Sequence, residues 1–328
     1  MGALNITIAT WDYDRVRPIM DGRVRVEGCE INHVVLPPEE LFHRVVNGDF
    51  EVSEIGFSSY LAATSRGIAP YMAVPVFLSR MFRHSGIYIR TDRGIGKPED
   101  LRGKVIGIPE YSMAVGLWVR GMLNDDHGVA AADVQWRQGG LEQPGRKDKY
   151  PMSLPEGFPL EPIGPDDTLD AMLRNGELDA LVSARTPRAY LEDPNVGRLF
   201  ENFAEVERDY FARTRLFPIM HALGVRRDVH ERHPWLAASL LKAFNQAKAI
   251  AQEELTQTAA LKIGLPWVVT EALATRQLMG EDFWPYGVEA NRQVLETLTR
   301  YAHEQGLSTR PVSVEELFAP NTLTEPKL

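Results

Sequence analysis

Two histidines and several arginines stand where short apolar runs of this chain end. Arg80, Arg83 and His84 follow Met72–Val76, and His221 follows Phe217-Pro218-Ile219-Met220. Imidazole exchanges protons near neutral pH. Guanidinium holds a carboxylate through two parallel charged hydrogen bonds. Glu110 opens Glu110-Tyr111-Ser112-Met113 directly after the run Val105–Ile108. There it is a candidate acid or base, although a Glu at a helix start also complements the helix dipole. Arg185 follows Ala180–Val182 just before Pro187, and Arg146 lies on a loop after Gly139-Gly140. Such a set fits proton transfer on an anion: His84 and His221 move protons, Glu110 orients or shares one, and Arg83 and Arg185 hold the charge.

The elements that must position these groups alternate strand with helix. The runs Ile6–Ala9, Val52–Ile55, Met72–Val76, Val105–Ile108, Val134–Trp136 and Ala180–Val182 each stop at polar, ring-bearing or charged residues. Ligands of open α/β sheets bind beyond the carboxyl ends of the strands. Tyr13, Arg15, Ser58, Ser59, Arg80, Ser112 and Arg146 therefore join the candidate binding residues of one cleft, suited to a small acidic aromatic molecule. Pro37-Pro38 opens a helix, with Leu41, Phe42, Val45 and Val46 at helical spacing. The expected architecture is α/β with two lobes and the ligand cleft between them. Residues 1–90 and 223–328 form the first lobe and 91–222 the second. The first crossing falls at Asp92–Leu101 and the second near His221, with Ala222–Val225 as the return strand. Helices near 231–262, 268–280 and 289–305 complete the first lobe. The Pro- and Gly-rich stretch from Gly139 to Pro165 is a loop of functional length.

Composition narrows the field. A chain of 328 residues can bury two cores. A net charge of −9 with no basic block disfavours nucleic acid as a partner. The single Cys29 excludes an intrachain disulfide and reads as a packed thiol. No apolar run reaches the ~20 residues that span a bilayer, and the start of the chain has no secretory pattern, so the expected location is the cytoplasm. Gly94-Ile95-Gly96-Lys97-Pro98 lacks the spacer and hydroxyl of a phosphate loop. His230 and His233 have no third ligand nearby in sequence. Self-association is left open.

Arg83-His84, Pro109-Glu110-Tyr111, Trp118-Val119-Arg120-Gly121, Gly139-Gly140 with Pro144-Gly145-Arg146, and Pro218-Ile219-Met220-His221 resemble the 4,5-dihydroxyphthalate decarboxylase family. So do Trp11-Asp12-Tyr13-Asp14-Arg15, Met20-Asp21-Gly22-Arg23-Val24, Asp282-Phe283-Trp284-Pro285-Tyr286-Gly287 and Glu315-Glu316-Leu317-Phe318-Ala319-Pro320. The resemblance runs from residue 4 to about 323. It implies a type 2 periplasmic-binding-protein fold and a decarboxylation that yields 3,4-dihydroxybenzoate. The chain departs from the family's habit at Tyr111-Ser112-Met113-Ala114-Val115 and at Ala222-Leu223-Gly224, which bears on the substrate's substituents.

The implied reaction protonates the ring carbon that carries the departing carboxylate. No cofactor is required by that scheme. A divalent metal on His84, His221 and Glu110 is the alternative that spacing neither demands nor forbids. The rival function is a solute-binding protein or sensor that uses the same cleft without chemistry. A pyrimidine-synthase relative would need a Cys-rich site, which one cysteine cannot supply.

Overall fold

The computed structural model describes residues 2–324. The chain first lays down β1 (Leu4–Thr10), β2 (Cys29–Val35), β3 (Val52–Gly56) and β4 (Tyr71–Arg80). It then builds β5 (Ile87–Arg90), β6 (Val105–Ile108), β7 (Gln135–Gln138), β8 (Leu160–Pro162), β9 (Ala180–Val182) and β10 (Val196–Arg198). Finally β11 (Ile219–Arg226) returns to the first group. The two sheets have the orders β2-β1-β3-β11-β4 and β10-β5-β9-β6-β7-β8. β1 runs parallel to β2 and β3, whereas β11 is antiparallel to both its neighbours. Strands flanked on both faces by helices are continuous apolar runs, and β6 and β9 read that way.

The crossings lie a few residues upstream of the positions expected from sequence. Ile87–Ile89 pairs antiparallel with β9, so the first crossing falls between Arg80 and Ile87 and not at Asp92–Leu101. The second falls before Ile219, because β11 is longer than the four residues Ala222–Val225 and carries His221 within the strand. The alternation of Ile87-Tyr88-Ile89 marks a strand in the sequence but not the sheet it joins, which β9 and the three-residue β10 settle by pairing with it.

The C-terminal helices also reach further than the first lobe. Helix Leu236–Glu254 packs on β4, as expected, but helix Arg292–Glu304 touches both helix Phe57–Ser65 and helix Ala114–His127. Tyr301 of that helix meets Trp118 edge-on at 5.6 Å. A Cβ on Gly121 would lie 2.1 Å from the Tyr301 ring, so only glycine permits this approach. Behind it the buried Arg120 donates to Gln305 Oε1 and the Tyr111 carbonyl and stacks on the Tyr111 ring at 3.7 Å. The Trp-Val-Arg-Gly motif thus ties helix Ala114–His127 to helix Arg292–Glu304 and, through Trp118 and the Ile219 carbonyl, to β11. No helix among the described residues is long and apolar enough to cross a membrane.

Candidate active site

The centre of the first sheet holds a carboxylate. Glu54 lies in β3, fully buried, and accepts three hydrogen bonds: from the Trp11 N–H (2.9 Å), the Tyr13 hydroxyl (2.7 Å) and His221 Nδ1 (2.6 Å). The register explains the last. Leu223 faces Glu54 and His221 faces Gly56, so Glu54 and His221 are diagonal neighbours on one face. Gly56 leaves open space beside the imidazole. On the other side, the pairing of β11 with β4 shifts register on both sides of His221, an irregularity of the kind that re-aims a side chain. The Phe42 ring sits against the imidazole at 4.7 Å.

Burial alone would raise the Glu54 carboxyl. The hydrogen bond and charge of His221, with the Trp11 and Tyr13 donors, outweigh it and hold Glu54 below the usual carboxylate range. An anionic Glu54 accepts from Nδ1–H, so Nε2 is the nitrogen free to exchange a proton. Glu54 is a candidate site residue that strand-end reasoning missed. Its signal was present: an acid inside the apolar run Val52-Ser53-Glu54-Ile55 must find partners.

The other expected residues divide into groups. Tyr13 is bound to Glu54, and its hydroxyl pKa is raised by burial and by that carboxylate. Arg15 lies over the rings of Tyr13 (4.4 Å) and Trp284 (4.1 Å), pairs with Asp14 and donates to the Leu78 carbonyl. Arg83 makes no salt bridge among the described residues. It donates to the sulfurs of Met220 (3.3 Å) and Met81 (3.4 Å), beside His221 in sequence. Burial lowers its pKa to about 10, which leaves it cationic at neutral pH.

Arg80 is placed differently from the expectation. It ends β4, is 5% exposed, and spends its donors on the carbonyls of Phe217 and Pro285 and on Asn291 Oδ1. It ties the Asp282–Gly287 motif to the sheet. Glu110 is also occupied: Arg146 Nε at 2.6 Å and Lys149 Nζ at 2.7 Å take its two oxygens. Arg146 continues to Glu39 Oε1 (2.9 Å), and Arg185 reaches Glu39 Oε2 (2.9 Å). Ser58 Oγ donates across the two sheets to the Ser112 carbonyl (2.7 Å), and Ser112 N–H donates to Asp148. Ser59 lines a small apolar pocket with Phe42, Tyr60 and Tyr150.

His84 has a different set of partners from His221. It is 3% exposed and boxed by the rings of Phe200 (5.2 Å) and Tyr210 (5.1 Å), with Glu207 3.8 Å from Nδ1. Burial, then the charges of His127 and Arg213, push its pKa down to about 4 from 6.5. Nor do His84, His221 and Glu110 come together as ligands: among the described residues no group of three or more His, Cys, Asp or Glu is arranged to hold a metal ion. The depressed pKa has a thermodynamic consequence. Between pH 6.5 and 4 the unfolded chain binds more protons than the native one. Stability from neutral His84 is therefore full above pH 6.5 and is lost as pH falls toward 4, by about 3 kcal/mol in all. Urea midpoints measured from pH 7 to pH 4 should fall less steeply for His84→Asn than for the wild type. Parallel curves would remove His84 from the acid response.

The geometry, then, is a buried Glu–His pair at the strand ends, an arginine whose donors meet no acid, and an ionic cluster that joins the two lobes. No protein-family model matches the chain. Known proteins do. It is 42% identical over 330 residues to 4,5-dihydroxyphthalate decarboxylase of Comamonas testosteroni, covering 100% of both chains. It is 42% identical over 213 residues to the protein of the same name from Pseudomonas putida, covering 64% of this chain and 83% of the relative. The periplasmic aliphatic sulphonate binding protein SsuA of Escherichia coli matches over 98% of this chain and 99% of its own, with a TM-score of 0.53 and 17% identity. That likeness is one of fold, the two-lobed type 2 periplasmic-binding-protein architecture. The full-length identity carries more: the chain belongs to the 4,5-dihydroxyphthalate decarboxylase family.

Proposed function

We propose that this protein is a carboxy-lyase that converts 4,5-dihydroxyphthalate to 3,4-dihydroxybenzoate and CO2, with His221 as the proton donor. Full-length identity to the Comamonas testosteroni enzyme carries the reading, and the Glu54–His221 pair supplies its chemistry.

In the substrate, each carboxylate has a hydroxyl para to it. Ionisation of the para hydroxyl pushes an electron pair into the ring. The ring carbon bearing the departing carboxylate takes a proton from His221 Nε2 and becomes tetrahedral. The C–C bond then breaks, its electron pair restores the aromatic ring, and CO2 leaves. The hydroxyl's proton passes to solvent and returns to the phenolate after CO2 leaves, one proton is consumed in net, no redox equivalent is needed, and solvent reprotonates the imidazole. The anionic Glu54 stabilises the imidazolium before transfer and fixes which nitrogen faces the ring.

Arg83 holds the retained carboxylate from the first lobe and Arg185 from the second. A grip on the departing carboxylate would stabilise the ground state more than the transition state. Arg83 is suited to the task because its donors meet thioethers and no acid. Arg83→Lys loses the forked geometry and should raise KM about tenfold with kcat within a fewfold of wild type. An unchanged KM would remove Arg83 from the carboxylate site. We assign no cofactor, and place the reaction in the cytoplasm, where the unpaired Cys29 stays reduced.

The deciding experiment is CO2 release and ultraviolet spectroscopy with 4,5-dihydroxyphthalate, on chelator-treated protein and again with divalent metals. Turnover by the chelated protein supports the scheme as written. Turnover only with added metal overturns the cofactor assignment alone. Thermal protection by the ligand without turnover would make the chain a binder.

A further inference from the structure

An ionic cluster joins the two lobes. Arg146, Lys149 and Arg185 come from loops of the second sheet, and they face two carboxylates, Glu110 and Glu39. Glu110 is buried and engaged on both oxygens. Glu39 is different. It comes from the other lobe, in the first turn of helix Pro38–Val46 just beyond the end of β2, and its side chain is 44% exposed. Arg146 holds Oε1 and Arg185 holds Oε2, each at 2.9 Å. Two guanidinium groups, on loops that follow β7 and β9, thus grip the opposite oxygens of one carboxylate. That is the arrangement a carboxylate ligand requires.

We propose that Glu39 is an internal carboxylate occupying a ligand-carboxylate subsite built by Arg146 and Arg185, and that it yields this subsite when an aryl dicarboxylate enters. The inference rests on the decarboxylase reading for the identity of the ligand, and names the group that substrate must displace. Exposed ion pairs are weak, so the exchange is cheap. The displaced Glu39 lies at the helix start, where its charge complements the helix dipole. The two guanidinium groups are then free to take the ligand carboxylate. Glu39 also discriminates: a ligand must offer a carboxylate as good as its own to enter.

The experiment uses the full chain and phthalate, which has both carboxylates but lacks the hydroxyl that drives decarboxylation. Calorimetric titration compares wild type, Glu39→Gln and Arg185→Gln. Glutamine keeps the shape of Glu39 and removes its competing charge. Glu39→Gln should bind phthalate about three- to tenfold more tightly than wild type, the size expected from losing exposed ion-pair competition. Arg185→Gln should bind it more weakly. Unchanged or weaker binding by Glu39→Gln overturns the proposal, since a carboxylate that merely fastens the lobes would be missed and not surpassed. Turnover of 4,5-dihydroxyphthalate by wild type is scored separately. A binder that gains affinity in Glu39→Gln but turns nothing over refutes the reaction and keeps the exchange.

Discussion

His221→Asn should lower kcat for 4,5-dihydroxyphthalate by ~10²–10⁴-fold, the range for a positioned acid or base, with KM close to wild type. Asparagine can still donate a hydrogen bond toward Glu54, so the buried carboxylate keeps a partner and the fold survives. What asparagine cannot do is carry a proton to carbon. The measurement is CO2 release under saturating substrate, paired with product analysis in heavy water. Wild-type product should carry one deuterium at the carbon that lost CO2. A variant that retains kcat within about threefold of wild type would show that another group protonates the ring.

Glu54→Ala should cost about 3–5 kcal/mol of stability, the usual result of removing one partner from a buried charged pair. It strands three donors at once: the Trp11 N–H, the Tyr13 hydroxyl and His221 Nδ1. Against a total of ~5–15 kcal/mol for a native protein, that is a large fraction, read from the denaturation midpoint. Glu54→Gln separates chemistry from folding. The amide keeps the shape but not the charge that stabilises imidazolium, and kcat should fall ~10²-fold or more. The pH dependence follows from the depressed Glu54 pKa. Such a group stabilises the fold above the carboxylate's ordinary 4.5, and the contribution is lost as pH falls through the lower native value. Glu54→Gln should lack that acid-side loss. A loss as steep as in wild type would assign the titration elsewhere.

Much of the fold was legible because strands buried on both faces are short apolar runs closed by turn residues. Val105–Ile108 matches β6 residue for residue. Helix Pro38–Val46 follows from Pro37-Pro38 and the spacing of Leu41 and Val45. β8 and β10 were not legible: three residues each, polar in part, they are strands only because a neighbour supplies the ladder. The site was legible in kind more than in detail. Clustering at strand ends named His221, Tyr13, Arg146 and Arg185, which the structure places in the Glu54 and Glu39 networks. It could not tell His84 from His221, because the Phe200–Tyr210 box comes from segments over a hundred residues away. It missed Glu54 and Glu39 for opposite reasons. One hides inside a strand, and the other resembles any acid in a helix's first turn.

The position of β11 also sets the order in which the protein can be made. The second sheet uses one continuous stretch, from Ile87 to Arg198. The first sheet must wait: β11 lies between β3 and β4, so until the ribosome has released residues 219–226 those strands face each other across a gap. Pairings of such long sequence separation form slowly, and open strand edges recruit other chains. A nascent or truncated chain that stops before Ile219 thus exposes two sticky edges at the heart of the sheet. The strand that closes the gap is the one that carries His221 to Glu54. The proposed proton donor and the seal against aggregation arrive together, late in synthesis.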